Sequence, residues 1–269
     1  MKQVFSSKAA CMAVVIFSLI TVGAIAAPWI APKDPLAVEM AARLLGPCTG
    51  HLLGTDSLGR DFFSRMLFGG RIAMALSLVL PAFSLGLGLV AGIAAGYLEG
   101  VWDTVITGVT NIFLALPGLT LMVAVAGVMG PGLVTIAVAL TLTGWTGFSR
   151  VVRAEVLQVK QENFVLAARG LGCGHFHLIR SHILPRLGPI CLVTFTTRVS
   201  RAMIVISSLS FLGFGLAPPT PDWGGMIREA VQHFRGAPHL IIWPGLAVFL
   251  FAFSVNLIGD ALRDFFHVE

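Results

Sequence analysis

The chain has 269 residues, 56% of them hydrophobic and only 12% charged, where soluble proteins carry roughly a quarter charged. With a mean hydropathy of +0.89 and apolar runs of about 20 residues recurring along it, this is a membrane protein, and soluble enzyme classes are excluded. The net charge of +5 is concentrated in residues 149–187, where Arg150, Arg153, Lys160, Arg169, Arg180 and Arg186 stand against Glu155 and Glu162, without the interleaved aromatics of a nucleic-acid interface.

The first apolar run, residues 9–30, follows Lys2 and Lys8 and is long enough to span a bilayer. Ala24, Ile25, Ala26 and Ala27 give it a small-x-small end, but it is longer than a signal-peptide core, so a retained helix is expected. The second run, 72–97, contains Pro81 and sets Ser84, Gly88, Gly92 and Gly96 four apart, a stripe of small residues that lets another helix approach closely. A third run, 104–129, holds Pro117, and Gly130-Pro131-Gly132 turns it into a fourth, 133–148, as a helical hairpin. The fourth is short, so its helix is expected to continue into the basic stretch Ser149 to Arg153. The fifth and sixth runs are 187–216 and 240–259.

Six spans place both termini on one side. With the basic loop cytoplasmic, nine Lys and Arg lie inside and seven outside, so both termini are expected in the cytoplasm. Cys11, Cys48, Cys173 and Cys191 have no CxxC spacing, and the seven histidines do not gather at ligand spacing, so neither a disulfide framework nor a metal site is indicated. The chain has no P-loop, HExxH or GxSxG motif, which makes it a non-hydrolytic protein; any energy from ATP must come from a separate subunit by contact.

Such a contact needs structure on the cytoplasmic face. Residues 163–172 predict a short helix of good helix formers stopped by glycine, and Phe164, Val165, Leu166, Leu171, Phe176, Leu178 and Ile179 give the loop apolar surface that a disordered linker lacks. An ordinary compact loop is the plainer reading of the same residues. On the other side, residues 55–71 predict an interfacial helix capped by Thr55 or Asp56. Its ion pairs Asp56/Arg60 and Asp61/Arg65 are spaced i, i+4, and Leu58, Phe62 and Met66 form an apolar stripe. Arg198 and Arg201 lie about ten residues into the fifth run on one helical face. They line a water-filled path, or they snorkel to the cytoplasmic interface if the helix starts later.

Ala167-Ala168, Gly172 and Leu184-Pro185 resemble, in spacing, the EAA loop of ATP-binding-cassette (ABC) importer permeases, with Leu166 at the Glu position and His182 at the Ile position. His51-Leu-Leu-Gly-Thr-Asp-Ser-Leu-Gly-Arg-Asp61, Ser64-Arg65, Gly70-Arg71, Ser210-Phe-Leu-Gly213, Pro218-Pro-Thr-Pro-Asp-Trp-Gly224 and Asn256-Leu-Ile-Gly-Asp-Ala-Leu-Arg-Asp264 resemble the second permease subunit of dipeptide, oligopeptide and nickel importers. The resemblance implies an all-α, six-helix type I importer permease fold of the bacterial inner membrane. It implies an N-terminal helix and periplasmic segment over 1–71 and a permease core over 72–269, with the coupling loop at 149–187.

The resemblance also implies roles and partners. Leu166, Ala167, Ala168, Gly172, Leu184 and Pro185 would couple to the ATPases. Asp56, Arg60, Asp61 and Arg65 would lie where a substrate-binding protein docks, and the water-filled path already read from the placing of Arg198 and Arg201 would be the translocation path. The implied partners are a homologous permease, two ABC ATPases that use ATP and Mg, an extracytoplasmic binding protein and the lipid bilayer; no cofactor is held by this chain. Arg43-Leu-Leu-Gly-Pro47, Phe164-Val-Leu-Ala-Ala-Arg169 and Trp243-Pro-Gly-Leu-Ala-Val-Phe249 resemble the nickel-type members, with peptide import on the same scaffold as the alternative. An ion-coupled secondary transporter and a purely structural scaffold are the rivals; no acidic residue lies in the apolar cores of spans one to four and six, as ion coupling would need.

Overall fold

The computed structural model describes residues 8–267. Helix α1 (Lys8–Ile25) covers most of the first apolar run, and after a break at Ala26 a single turn, α2 (Ala27–Ile30), ends it. Helix α3 (Phe62–Ile93) runs on through a wider π turn to Leu98, about 55 Å in all at 1.5 Å per residue. It starts well before the expected span because Asp61 caps it: the carboxylate accepts from Ser64 N at 2.9 Å. Helix α6 (Leu133–Val159) continues past the fourth apolar run as expected, so residues 149–159 of the expected loop are helix.

The third run departs from expectation. It forms α4 (Gly100–Ala115) and α5 (Gly118–Met129), bent by 86°. Pro117 supplies no N–H and pushes the residue before it out of the helical region, and Leu116 is accordingly extended at φ −88°, ψ 137°. Downstream come α7 (Asn163–Gly170) and α8 (His175–Leu178), which passes through a π turn into α9 (Leu184–Phe211). Helices α10 (Trp223–Ala230) and α11 (His239–Phe266) complete the chain. By length and apolarity four units can cross a bilayer, Lys8–Ile25, Phe62–Leu98, His175–Phe211 and His239–Phe266, with the bent pair as a fifth. Helix α6 does not reach the same apolarity, since it ends in Arg150, Arg153 and Glu155.

The stripe of small residues does what its spacing implies. A Cβ on Gly88 would lie 2.4 Å from Phe148 Cβ, one on Gly92 2.6 Å from Val152 Cβ, and one on Gly96 2.9 Å from Val156 Cβ, so α3 and α6 touch at backbone distance. Across from Ser84, Gly144 continues the seam. Several buried hydroxyls within the helices are satisfied by carbonyls: Ser77 Oγ donates to Met74 O at 2.9 Å, and Ser200 Oγ crosses from α9 to Ala252 O of α11 at 2.9 Å, whereas Thr21, Ser207 and Ser210 have no hydroxyl partner among the described residues.

Three apolar clusters hold the bundle. One joins Ala24, Phe62, Met203, Trp223, Leu240 and Phe251 and so ties α1, α3, α9, α10 and α11. A second, of Leu80, Ile136, Leu140 and Ile206, fills the space between α3, α6 and α9. The third, at the end of α6, gathers Val152, Val156 and Val159 with Val165 of α7, Leu178 of α8, and Ile183 and Leu187 at the root of α9.

Candidate functional site

Helix α7 is fixed on one side and open on the other. Val165 is 2% exposed inside the third cluster, whereas Phe164, Leu166, Leu171 and Phe176 present apolar surface outward, Leu171 at 86% exposed. Gly172 stops the helix. Its φ is +83°, Cys173 N bonds back to Ala168 O at 3.1 Å, and Gly172 N bonds to Arg169 O at 3.0 Å, the paired 6→1 and 5→2 bonds of a Schellman ending. Ala167 is exposed, Ala168 packs partly against the cluster, and Leu184 and Pro185 open α9 with their side chains exposed. Replacing Gly172 by Ala is expected to cost about 1 kcal/mol for its left-handed backbone, and by Asn less. Thermal unfolding of the detergent-solubilised protein checks the order Gly, Asn, Ala.

A polar clasp holds the neighbouring helices to this end. Arg153 of α6 grips Asp103 of α4 with Nε at 2.5 Å and Nη2 at 2.6 Å, Lys160 reaches Glu99 at 2.6 Å, and the Tyr97 hydroxyl meets His175 Nδ1 at 2.8 Å.

Midway along the bundle, the elbow at Leu116, Pro117 and Gly118 faces α3, α6 and α9 across a cavity of about 330 Å³. Arg198 and Arg201 both line it, with Ser84 and Thr143 as hydroxyl neighbours and no acidic side chain in the wall. Helix α9 already begins at Leu184, so Arg198 lies about 21 Å along it. The alternative in which the helix starts later and both arginines sit at its mouth does not match this start. The guanidinium of Arg198 lies 5.6 Å over the Phe148 ring, in space left by Gly147, where a Cβ would meet Nη2. Among the described residues neither arginine has an acidic partner.

The segment 55–71 corrects an expectation. Residues 55–61 are a loop, not the start of a helix, and Asp56, Arg60, Asp61 and Arg65 are buried, at 5%, 4%, 2% and 2% exposed. Asp56 pairs with Arg60 Nε at 2.6 Å as the spacing implies, but Asp61 and Arg65 do not pair. Asp61 instead caps α3 and accepts from His51 Nδ1 at 2.8 Å, while His51 Nε2 receives the Lys33 ammonium at 3.0 Å. Arg60 Nη2 and Arg65 Nη2 converge on Glu229 of α10, at 3.0 and 3.3 Å. Gly59, at φ +75°, admits the carbonyl of Glu39 where a Cβ would lie 1.8 Å away. These four buried charges brace the 55–61 loop internally, against chain from 39–45 and α10.

Glu229, Gly147 and the elbow were not among the residues singled out from the sequence. Pro117-Gly118 was the one available signal for the elbow; nothing local marks Glu229 as the partner of two arginines more than 160 positions earlier.

Residues 88–267 match the family of binding-protein-dependent transport system inner membrane components, and residues 1–47 match the N-terminal transmembrane domain of oligopeptide transport permease C. The chain belongs to this inner-membrane permease family. It is the membrane-embedded, non-enzymatic permease component of an ABC importer. The nickel transport system permease protein NikC of Escherichia coli K12 is 38% identical over 94% of this permease and 91% of its own length. Glutathione transport system permeases of Pectobacterium atrosepticum and of an E. coli O6 strain are each 40% identical, over 81% and 91% of this chain and 73% and 82% of theirs. The solved inward-facing MetNI methionine ABC transporter shares the fold, with TM-score 0.55 over 74% of this permease and 96% of that chain at 19% identity. Membership removes the ion-coupled transporter and the purely structural scaffold. It also brings an ATPase partner and a multi-pass inner-membrane setting.

Proposed function

We propose that this permease pairs with a homologous permease subunit, forms half of a substrate path at the Arg198/Arg201 cavity, and opens that path by alternating access driven through α7. The observation that carries the reading is shared anchorage. Val165 of α7 sits in one cluster with Val152 and Val156 of α6 and with Ile183 and Leu187 at the root of α9. Those two helices also carry Thr143, Gly144 and Phe148 and the arginine pair of the cavity wall. A push on α7 therefore reaches the cavity through packed contacts rather than a flexible link, and packed interfaces switch between discrete arrangements. In this reading two ABC ATPases, using ATP and Mg, dock on Phe164, Leu166, Leu171 and Phe176, with Ala167, Ala168, Gly172, Leu184 and Pro185 shaping that surface.

The path of the chain supports six crossings. Glu99, before α4, pairs with Lys160 at the end of α6, and α5 leads within four residues into the start of α6, so the bent pair runs the length of α6 despite its elbow. The start of α1 and the end of α11 then lie on the α7 side, the cytoplasm, and an extracytoplasmic binding protein delivers cargo at the α10 end. Two guanidinium groups without an acid oppose a bare divalent cation and suit a metal chelate or a peptide carboxylate. A nickel chelate is the first reading. The similarity to glutathione permeases favours a small peptide as the second.

The test is reconstitution with the ATPases, permease and binding protein encoded beside this chain. Leu171→Asp together with Phe176→Asp places charge on exposed positions with little folding cost. The expected result is normal assembly with uptake and transport-linked ATP hydrolysis reduced more than tenfold; unchanged rates would overturn the coupling role of α7. The cargo retained by the purified binding protein separates chelate from peptide.

A further inference from the structure

Gly147 stands midway along α6 in ordinary helical backbone, where glycine weakens a helix relative to alanine. What it makes room for differs from the other close glycines. At Gly88, Gly92 and Gly96 a Cβ would meet backbone atoms as well as side chains of the facing helix, as two helices packed together require. At Gly147 the three nearest atoms are Nη2, Cζ and Nη1 of Arg198, the last two at 2.6 and 3.0 Å, and all three belong to one guanidinium. The gap fits the head of a single side chain from α9.

The next residue supplies the floor of this seat. The Arg198 guanidinium lies 5.6 Å over the ring of Phe148, which is 1% exposed. A desolvated cation gains from an aromatic face while the planar group can stay against it. The ring cannot drop back, because α3 stands behind it, so close that a Cβ on Gly88 would collide with Phe148 Cβ. A methyl group at position 147 therefore drives the guanidinium off the ring and into the cavity of about 330 Å³ that Arg198 and Arg201 line. There it takes cargo space and approaches a like charge on Arg201.

The seated arginine is free to receive a ligand. Its side chain makes no ion pair or hydrogen bond among the described residues, and its nitrogens, unlike the unpartnered ones of Arg65, keep accessible surface. We propose that Gly147 is a positioning residue of the substrate path. It recesses the Arg198 guanidinium into the flank of α6, over Phe148, so that the charge meets an acidic cargo from the wall while the cavity stays open. The role in transport rests on the reading of this cavity as the path; the seat itself rests on geometry alone.

Two measurements on Gly147→Ala test this. The full permease in lipid nanodiscs is reacted with phenylglyoxal, and modification of each arginine is followed by peptide mass. Release from the seat is expected to speed modification of Arg198 about threefold, the factor that corresponds to losing a cation–aromatic contact. Arg201, in the same cavity, is the reference and should react at its wild-type rate. Equal Arg198 rates in the two proteins would overturn the seat.

Uptake of an acidic cargo by the reconstituted complex is then compared in two backgrounds. Gly147→Ala is expected to lower it about fivefold in the wild-type chain and by less than about twofold in Arg198→Lys, since lysine keeps the charge but lacks the Nη groups that occupy the notch. The apparent Tm should stay at its wild-type value, because the displaced atoms are the free end of a side chain. An equal fall in both backgrounds, or a variant that does not fold, would mean that Gly147 serves helix packing and would overturn the proposal. Faster Arg198 modification with uptake unchanged in both backgrounds would instead keep the seat and remove the cavity from the path, so the two failures are distinguishable.

Discussion

Gly92→Leu is expected to abolish most of the folded permease, while Gly86→Leu, in the same helix and only six positions away, is expected to have no effect. A Cβ on Gly92 would lie 2.6 Å from Val152 Cβ and 2.7 Å from the Ser149 carbonyl, whereas nothing lies within 4 Å of one on Gly86. The Ser149 oxygen belongs to helix backbone and cannot step aside as a side-chain end can. The strain of seating Leu there is on the order of 3 kcal/mol, a large part of the marginal stability of a domain. The α3–α6 seam also forms one wall of the cavity, through Ser84 and Gly144, so whatever protein survives should transport poorly. Size-exclusion yield and thermal unfolding in detergent provide the readout. If Gly92→Leu behaves like Gly86→Leu, the close α3–α6 approach is wrong.

Arg198→Glu is expected to reduce uptake of an acidic cargo more than tenfold while the assembled complex still hydrolyses ATP. At about 6 Å and an effective dielectric constant of about 20, one unit charge contributes nearly 3 kcal/mol, and the substitution reverses its sign at the cavity wall. Arg198→Lys keeps the sign but loses the planar fork and its stacking on Phe148, so an intermediate rate is expected. The three proteins are compared in proteoliposomes by initial uptake rate, with ATP hydrolysis measured in the same preparation. Wild-type uptake by Arg198→Glu would remove this cavity from the substrate path.

Much of the fold was legible in the residue pattern. Apolar runs located α1, α3, α9 and α11 because a bilayer imposes a length and an apolarity that few other settings demand. The spacing of Ser84, Gly88, Gly92 and Gly96 identified a packing face, and the ending of α7 followed from Gly172, since both depend on backbone geometry set within a few residues. The lack of any hydrolytic motif in the sequence likewise pointed to a subunit driven by others.

What only the tertiary structure decided was which distant groups meet. Asp61 and Arg65 have the spacing of a helical ion pair, yet Asp61 turned to cap α3 and bond His51, and Arg65 to join Glu229, because burial favours the partners that satisfy most donors and acceptors at once. The bend at Pro117 was visible only as a proline; its 86° magnitude depends on what packs beside α4 and α5. The arginine pair of α9 could be placed on one face by periodicity, but that the face looks into a cavity closed by that elbow depends on helix positions that no local pattern encodes.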